Sequence, residues 1–521
     1  MRRFTDGQLA LLLGAVLFVL AAWPLLLVPY PPFQDLPNHL AAVTVIQHPE
    51  LYPEFVFNGL LKTNSALYAW LLYVGPVVGT RIAAKLFVAL VLALGAVAYP
   101  RFVLAFGGRS RMVVSTLFAW PMVHDWFVSA GMLDFAVAIP FATLLLVALN
   151  AQRQKATPAR AAAIVGLSLL VWYGHPFPLL VVCLLVGLHV VLRRTWGERW
   201  LHARNLVLPL LPSAALVGVS VLLQSGEESG AMTAFIALGR ILPVWELVYN
   251  LWAEWFWSFT WLEIATVVPC VALGLWAIHR WREDVPFFGR AALLVLAALY
   301  VVTPYVTTNW FHVNSRFIPF LWLAALVRVP ERLPRRWMTA ALAGCALVTS
   351  VGMGADYVRL DDGRRRFTAG MDVVPEGARL LPLVFHPKGI SQNTRSLLHA
   401  WGYYVVQKHT SAPLLFAHSR SFAVMYREPP EPQFNHLVLE GFAPSMGTPD
   451  WMCGVLRTGG VIVQDCDGEW RERWHELWAA VEPKYDHVLL WDATPEVLAI
   501  VPAAYRVAFQ RDELTILERK P

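Results

Sequence analysis

Residues 8–28 run for about 20 positions without a charged side chain, which at roughly 1.5 Å per helical residue is enough to cross the apolar core of a bilayer. Arg2 and Arg3 precede the run and no Ala-x-Ala-like cleavage site follows it. It reads as an uncleaved span with a cytoplasmic N-terminus rather than a signal peptide. The pattern then recurs at 82–106, 112–124, 133–149, 161–174, 178–192, 205–223, 261–279, 291–306, 317–329 and 338–354, giving about eleven expected spans, several of them short. Over 521 residues the chain is 57% apolar and only 15% charged, against about 25% charged for a soluble domain. A soluble enzyme, a nucleic-acid binder, a disordered hub and a collagen-like fibre are excluded.

The net charge of +6 is a matter of topology. Lys and Arg outnumber Asp and Glu in residues 1–355, whereas residues 356–521 are slightly acidic. The basic residues cluster in alternate gaps: Arg109/Arg111, Arg153/Lys155/Arg160, Arg193/Arg194/Arg199/Arg204, Arg280/Arg282/Arg290 and Arg332/Arg335/Arg336. The positive-inside rule makes these gaps cytoplasmic and turns the loops around Asp35, Asp125, His175, Gly230 and Asn314 to the other face. The apolar stretch 65–79 would invert every later loop if it crossed, so it is expected to lie as a helix on the outer face.

The expected organisation is a multi-span domain over 1–355, with its first outer loop at about 30–80, followed by an extracytoplasmic domain over 356–521. Strand-like runs at 379–385, 487–491, 505–509 and 514–517, with a helical pattern at 469–481, make the second domain α/β. Cys453 and Cys466 are spaced to pair in an oxidising compartment, while Cys183, Cys270 and Cys345 lie inside spans as small apolar residues.

The chemistry-bearing residues gather in the outer loops. Prolines end the first span, and Asp35 and His39 then stand four apart, on one face of any helix that resumes there. A carboxylate so placed can act as general base toward a hydroxyl; the plainer alternative is that Asp35 only caps the following helix. At the same face lie His124-Asp125-Trp126, Asp134 and His175, each interrupting apolar sequence. A carboxylate within a span costs on the order of 2.5–3.5 kcal/mol, so Asp134 requires a wet cavity or a partner. Residues 243–261 carry five Trp, suiting either an interfacial belt or a helix against which a lipid tail docks. Arg316 stands at the outer entrance of a span, where a guanidinium suits a phosphate and where the alternative is a lone snorkelling side chain.

These residues carry a resemblance. The loop Pro31-Pro32-Phe33-Gln34-Asp35-Leu36-Pro37-Asn38-His39 resembles the first outer loop of the GT-C superfamily of polyprenyl-phosphate-sugar-dependent membrane glycosyltransferases, which includes protein O-mannosyltransferases and aminoarabinose transferases. Asn64-Ser65-Ala66-Leu67-Tyr68, leading to Gly79-Thr80-Arg81, is similar to the outer helix and basic span entrance that follow. Gly131-Met132-Leu133-Asp134-Phe135, Tyr173-Gly174-His175 and Asn314-Ser315-Arg316-Phe317 resemble outer-facing turns of bacterial members.

The resemblance implies a multi-pass protein of the bacterial inner membrane with a periplasmic C-terminal domain. It implies sugar transfer, with inversion, from a polyprenyl-phosphate-linked donor to a glycan, lipid or protein acceptor. Asp35 would be the general base, with His39 as an orienting or phosphate-side group. Substrate binding would fall to Arg81, Asp125, Asp134, His175 and Arg316. Many relatives carry Asp-Glu or Asp-x-Asp in the first loop; here Gln34-Asp35 stands instead, so no divalent metal and no cofactor beyond the lipid donor is expected. Two other classes stay open on the residues alone: a transporter or flippase of an envelope lipid or glycan, since intramembrane carboxylates also mark substrate pathways, and a non-catalytic envelope scaffold.

Overall fold

The computed structural model describes residues 4–224, 241–307 and 310–521. The outer loop expected around Gly230 lies outside the described residues. The chain divides into two compact units, one of residues 1–30 and 60–357, the other of 31–59 and 358–521, with the division falling inside the helix Arg336–Phe367. The expected first outer loop of about 30–80 is therefore shared: 31–59 fold with the C-terminal residues and 60–80 with the helices.

In the first unit each expected span overlaps helix, though 291–306 runs past the helix Arg290–Val302 into the short strand Val306–Thr307. Asp6–Leu26, Thr80–Gly107, Leu133–Gln154, Trp196–Ser220 and Arg336–Val373 are long and apolar enough to cross a bilayer, and Val244–Phe256 with Trp261–Ala277 makes a sixth if that pair, bent by 99°, is one broken span. Shorter apolar helices cover Ala66–Val78, Pro158–Gly174, Pro176–Val191 and Arg290–Val302. Local signals set the ends: Thr5 and Gln8 close a capping box on the first helix, and Thr157 caps the helix that Pro158 opens. The first helix packs on Thr80–Gly107, where a Cβ at Gly14 would sit 2.9 Å from the Ala96 carbonyl oxygen, so only glycine permits that approach. Thr80–Gly107 also packs on Leu133–Gln154, which packs on Pro158–Gly174.

The bent pair breaks at 257–260, where backbone groups lose their helical partners. Glu263 restores two of them, accepting from Ser258 N at 2.8 Å and Phe259 N at 2.9 Å, while the Thr260 hydroxyl donates to Asp356 at 2.7 Å. These buried acids replace the solvent that an interrupted helix lacks inside a membrane.

The second unit is mixed α/β. Its sheet runs Leu380–Val384, His487–Trp491, Leu514–Arg519, Tyr505–Arg511; the first pair is parallel and the others antiparallel. The two neighbouring strands 380–384 and 487–491 are buried at every position, which is why they read as continuous apolar runs, whereas the edge strand 505–511 is largely open to solvent. Trp470 and Trp474 of the helix Cys466–Val481 both donate to the Met446 carbonyl, at 2.8 and 3.1 Å. A disulfide joins Cys453, on the helix Pro449–Thr458, to Cys466.

Residues 31–59 are part of this unit's core. The helix Leu36–Gln47 is buried from Leu36 to Val45, and the strand Phe55–Phe57 pairs antiparallel with Val424–Tyr426. Asn38 donates to the Leu414 carbonyl at 2.9 Å and accepts from Phe416 N at 3.1 Å. The helix Gly402–Lys408 begins with glycine because a Cβ there would lie 2.3 Å from the Pro37 carbonyl oxygen.

Candidate active site

The sequence candidates divide between the units. Asp35 and His39 belong to the α/β unit; Arg81, Asp125, Asp134, His175 and Arg316 belong to the helical unit.

Asp35 occupies the N-cap position of Leu36–Gln47, yet its side chain makes no capping bond. Its Oδ1 instead accepts from Gln34 Nε2 at 3.1 Å and faces His399 Nδ1 at 3.1 Å. Gln34 is itself fixed: its Oε1 accepts from Arg395 N at 3.0 Å, and its carbonyl lies 3.1 Å from the same His399 nitrogen. The other ring nitrogen, Nε2, lies 3.1 Å from Glu440 Oε1 on the helix His436–Ser445. An imidazole flanked by an acid on each side satisfies both only as the cation, which donates from both nitrogens. Burial alone would strip its proton, but the Glu440 and Asp35 carboxylates outweigh burial and raise His399 to about 9. Burial likewise pushes Asp35 upward, and the His399 hydrogen bond and charge, with smaller help from His39 and Gln34, hold it below its ordinary value. Asp35 is thus a buried carboxylate kept ionised by a buried cation.

His39 stands one turn further along that helix, its ring edge-on to Phe416 with centroids 5.8 Å apart, and Phe416 packs on His399 at 5.0 Å. His418 and His436 stack at 4.2 Å near the same phenyl ring. Burial lowers His418 to about 4, and burial with the His418 and His399 charges lowers His436 well below its usual value, so both are neutral near pH 7.

In the helical unit two candidates meet. Arg316 Nη1 lies 2.6 Å from His175 Nε2, and its guanidinium rests over the Phe135 ring at 5.1 Å. His175 is also the cap of Pro176–Val191, its Nδ1 accepting from Phe177 N at 3.1 Å. A neutral imidazole offers one lone pair, so His175 accepts from Phe177 N or from Arg316 Nη1 and not from both at once. The Arg316 guanidinium, which only donates, suits an anion.

Asp125 accepts from Val128 N at 3.0 Å and caps the helix Trp126–Ser129; Asp134 accepts from Leu67 N at 2.9 Å at the start of Ala66–Val78. Both carboxylates serve helix N-termini. Arg81 is exposed on the first turn of Thr80–Gly107. Among the described residues no group of three or more His, Cys, Asp or Glu gathers to hold a metal.

Three groups escaped sequence reasoning. His399 and Glu440 lie far along the chain, with 365 positions between Gln34 and His399. The one signal was a lone polar residue inside the apolar run 397–401, which shows burial but names no partner. Glu254 is the third: at a kink in Val244–Phe256, its Oε1 accepts from the Tyr305 hydroxyl at 2.8 Å and faces His312 Nδ1 at 3.0 Å.

No protein-family model and no curated protein matches this chain. Among solved structures its fold is similar to that of the mycobacterial arabinofuranosyltransferase AftD, at 13% identity and a TM-score of 0.50. The match covers 98% of this chain and 41% of that one, so the chain spans about two-fifths of that protein's length. The likeness is one of fold.

Proposed function

We propose that this chain is a membrane glycosyltransferase that moves a sugar from a polyprenyl-phosphate-linked donor to an acceptor hydroxyl at the outer face of a bacterial inner membrane. The observation that carries the reading is Asp35. It stands where Asp ordinarily caps a helix, and its carboxylate is turned instead to a buried imidazolium. With Oδ1 occupied by Gln34 and His399, Oδ2 is the oxygen left to take a proton.

In this reaction the acceptor oxygen attacks the anomeric carbon as its proton passes to Asp35 Oδ2. The bond from that carbon to the donor's phosphate oxygen breaks, the electron pair leaves with the phosphate, and the anomeric centre inverts. A positioned general base supplies typically 10²- to 10⁴-fold. The sequence resemblance gives Arg316, His175 and Arg81 to the phosphate, where donors would stabilise the charge that develops, and His39 to orienting the acceptor. Asp125 and Asp134 hold helix starts in place and are read as scaffold rather than as substrate contacts. The disulfide Cys453–Cys466 fits an oxidising, periplasmic side for the α/β unit.

The test is mass spectrometry of envelope glycans and lipid-linked sugars in cells with and without the gene. A transferase predicts loss of one sugar from the glycans together with accumulation of its lipid-linked donor. A flippase predicts loss of the sugar with the precursor trapped on the cytoplasmic side, and a scaffold predicts no specific sugar lost.

A further inference from the structure

We infer that His399, held by Glu440, is a positioning residue that keeps the Asp35 carboxylate ionised and aimed for proton transfer. The inference rests on the reading of Asp35 as the general base. It follows from the way three buried groups are connected. The His399 side chain is 2% exposed, so neither of its acid contacts is made in passing at a surface. Asp35 comes from residues 31–59, His399 from the turn before Gly402–Lys408, and Glu440 from the helix His436–Ser445, so three separate elements of one unit converge on a single imidazole. Asp35 with one hydrogen-bonded oxygen is a directed carboxylate: rotation that would swap Oδ1 and Oδ2 breaks the bonds from both Gln34 and His399. Glu440 in turn supplies the second charge without which a buried imidazole sheds its proton.

The groups around His399 explain why the cation resides on this ring. Asp35 and Glu440 face its nitrogens, His39 approaches from the helix Leu36–Gln47, and Phe416 packs against it. His436 and His418 lie beyond, both held neutral by burial, and Tyr426 senses the Glu440 charge. Of the titratable rings gathered here, His399 alone lies between two carboxylates. Its proton is lost as pH rises through about 9, after which the ring can donate to only one of its two acids and Asp35, still holding Gln34 on Oδ1, loses the positive charge that lowers it. The rate therefore falls on the alkaline side although the base itself remains unprotonated, the reverse of what a lone carboxylate base produces.

The experiment measures the pH dependence of sugar transfer in membranes containing the full-length protein, using their own lipid-linked sugars as donor and their own glycans as acceptor. Four proteins are compared: wild type, Asp35→Asn, His399→Gln and Glu440→Gln, each checked for thermal melting. Wild type is expected to show a plateau that falls near pH 9. Glu440→Gln is expected to move that fall at least one unit lower while nearly restoring the wild-type rate at acid pH, because protonation there replaces what Glu440 supplied. His399→Gln is expected to lose about 10²-fold and to have no alkaline fall. A merely structural role would lower the amount of folded protein without moving the profile. If Asp35→Asn is inactive while His399→Gln and Glu440→Gln keep the wild-type rate and profile, the positioning role is overturned and the base stands. If Asp35→Asn transfers sugar at the wild-type rate, both fall.

Discussion

Most buried acids of the helical unit are used differently from Asp35 of the α/β unit, with Glu254, which faces His312, as the exception. In the helical unit Asp125, Asp134 and Glu263 each spend their carboxylates on backbone N–H groups at helix starts or at a break. In the α/β unit Asp35 stands at a helix start and declines the same task, bonding only side chains. An acid that satisfies backbone donors completes the fold locally, because those donors would otherwise be buried without partners. An acid paired with an imidazolium instead carries a charge whose state depends on a second titrating group. That contrast separates these four acids more sharply than burial does, since all four are buried.

The largest effect that would break the comparison is at Asp35. Asp35→Asn preserves shape and the Gln34 contact but removes the proton acceptor, and transfer is expected to fall by 10²- to 10⁴-fold in the membrane assay. Arg316→Ala removes the guanidinium beside His175, with an expected loss of about 10²-fold in transfer; Arg316→Lys should recover only part, since an ammonium cannot present two parallel donors. Replacing both Cys453 and Cys466 by Ser opens a loop of 13 residues and is expected to cost about 2–4 kcal/mol, read as a lower melting temperature. Asp125→Ala leaves the Val128 N–H without its cap and should cost about 1 kcal/mol, with transfer per folded molecule unchanged.

Stability itself should also change with pH. His399 is raised on folding from an ordinary 6.5 to about 9, so its contribution is complete below 6.5 and disappears as pH rises through 9. Asp35 is lowered on folding, so its contribution is present above its ordinary value and disappears as pH falls through the folded one. Thermal melting should therefore decline between pH 7 and 10, and Glu440→Gln should flatten that decline.

Much of the helical unit was legible because apolar length and basic gaps report membrane helices without reference to partners. The strands at 380–384 and 487–491 were legible for a similar reason: burial on both faces writes a continuous apolar run. The membership of residues 31–59 was not, because a segment between two spans is ordinarily a loop of the membrane domain. The clue was present in the helix Leu36–Gln47, whose sequence from Leu36 to Val45 offers no polar face to solvent. For the candidate site, spacing pointed to Asp35 and His39, and a place in loops expected on the outer side pointed to His175 and Arg316. His399 and Glu440 could not, since the contact that gives each its meaning closes only when distant parts of the chain fold together.

The central claim is that Asp35, and not the other buried acids, carries the chemistry. The direct measurement is the envelope sugar and its lipid-linked donor in cells expressing, at matched levels, Asp35→Asn or Asp125→Asn in place of wild type. The account predicts that Asp35→Asn reproduces the deletion, with the sugar lost and the donor accumulated, while Asp125→Asn matches wild type. Normal glycans with Asp35→Asn would contradict it.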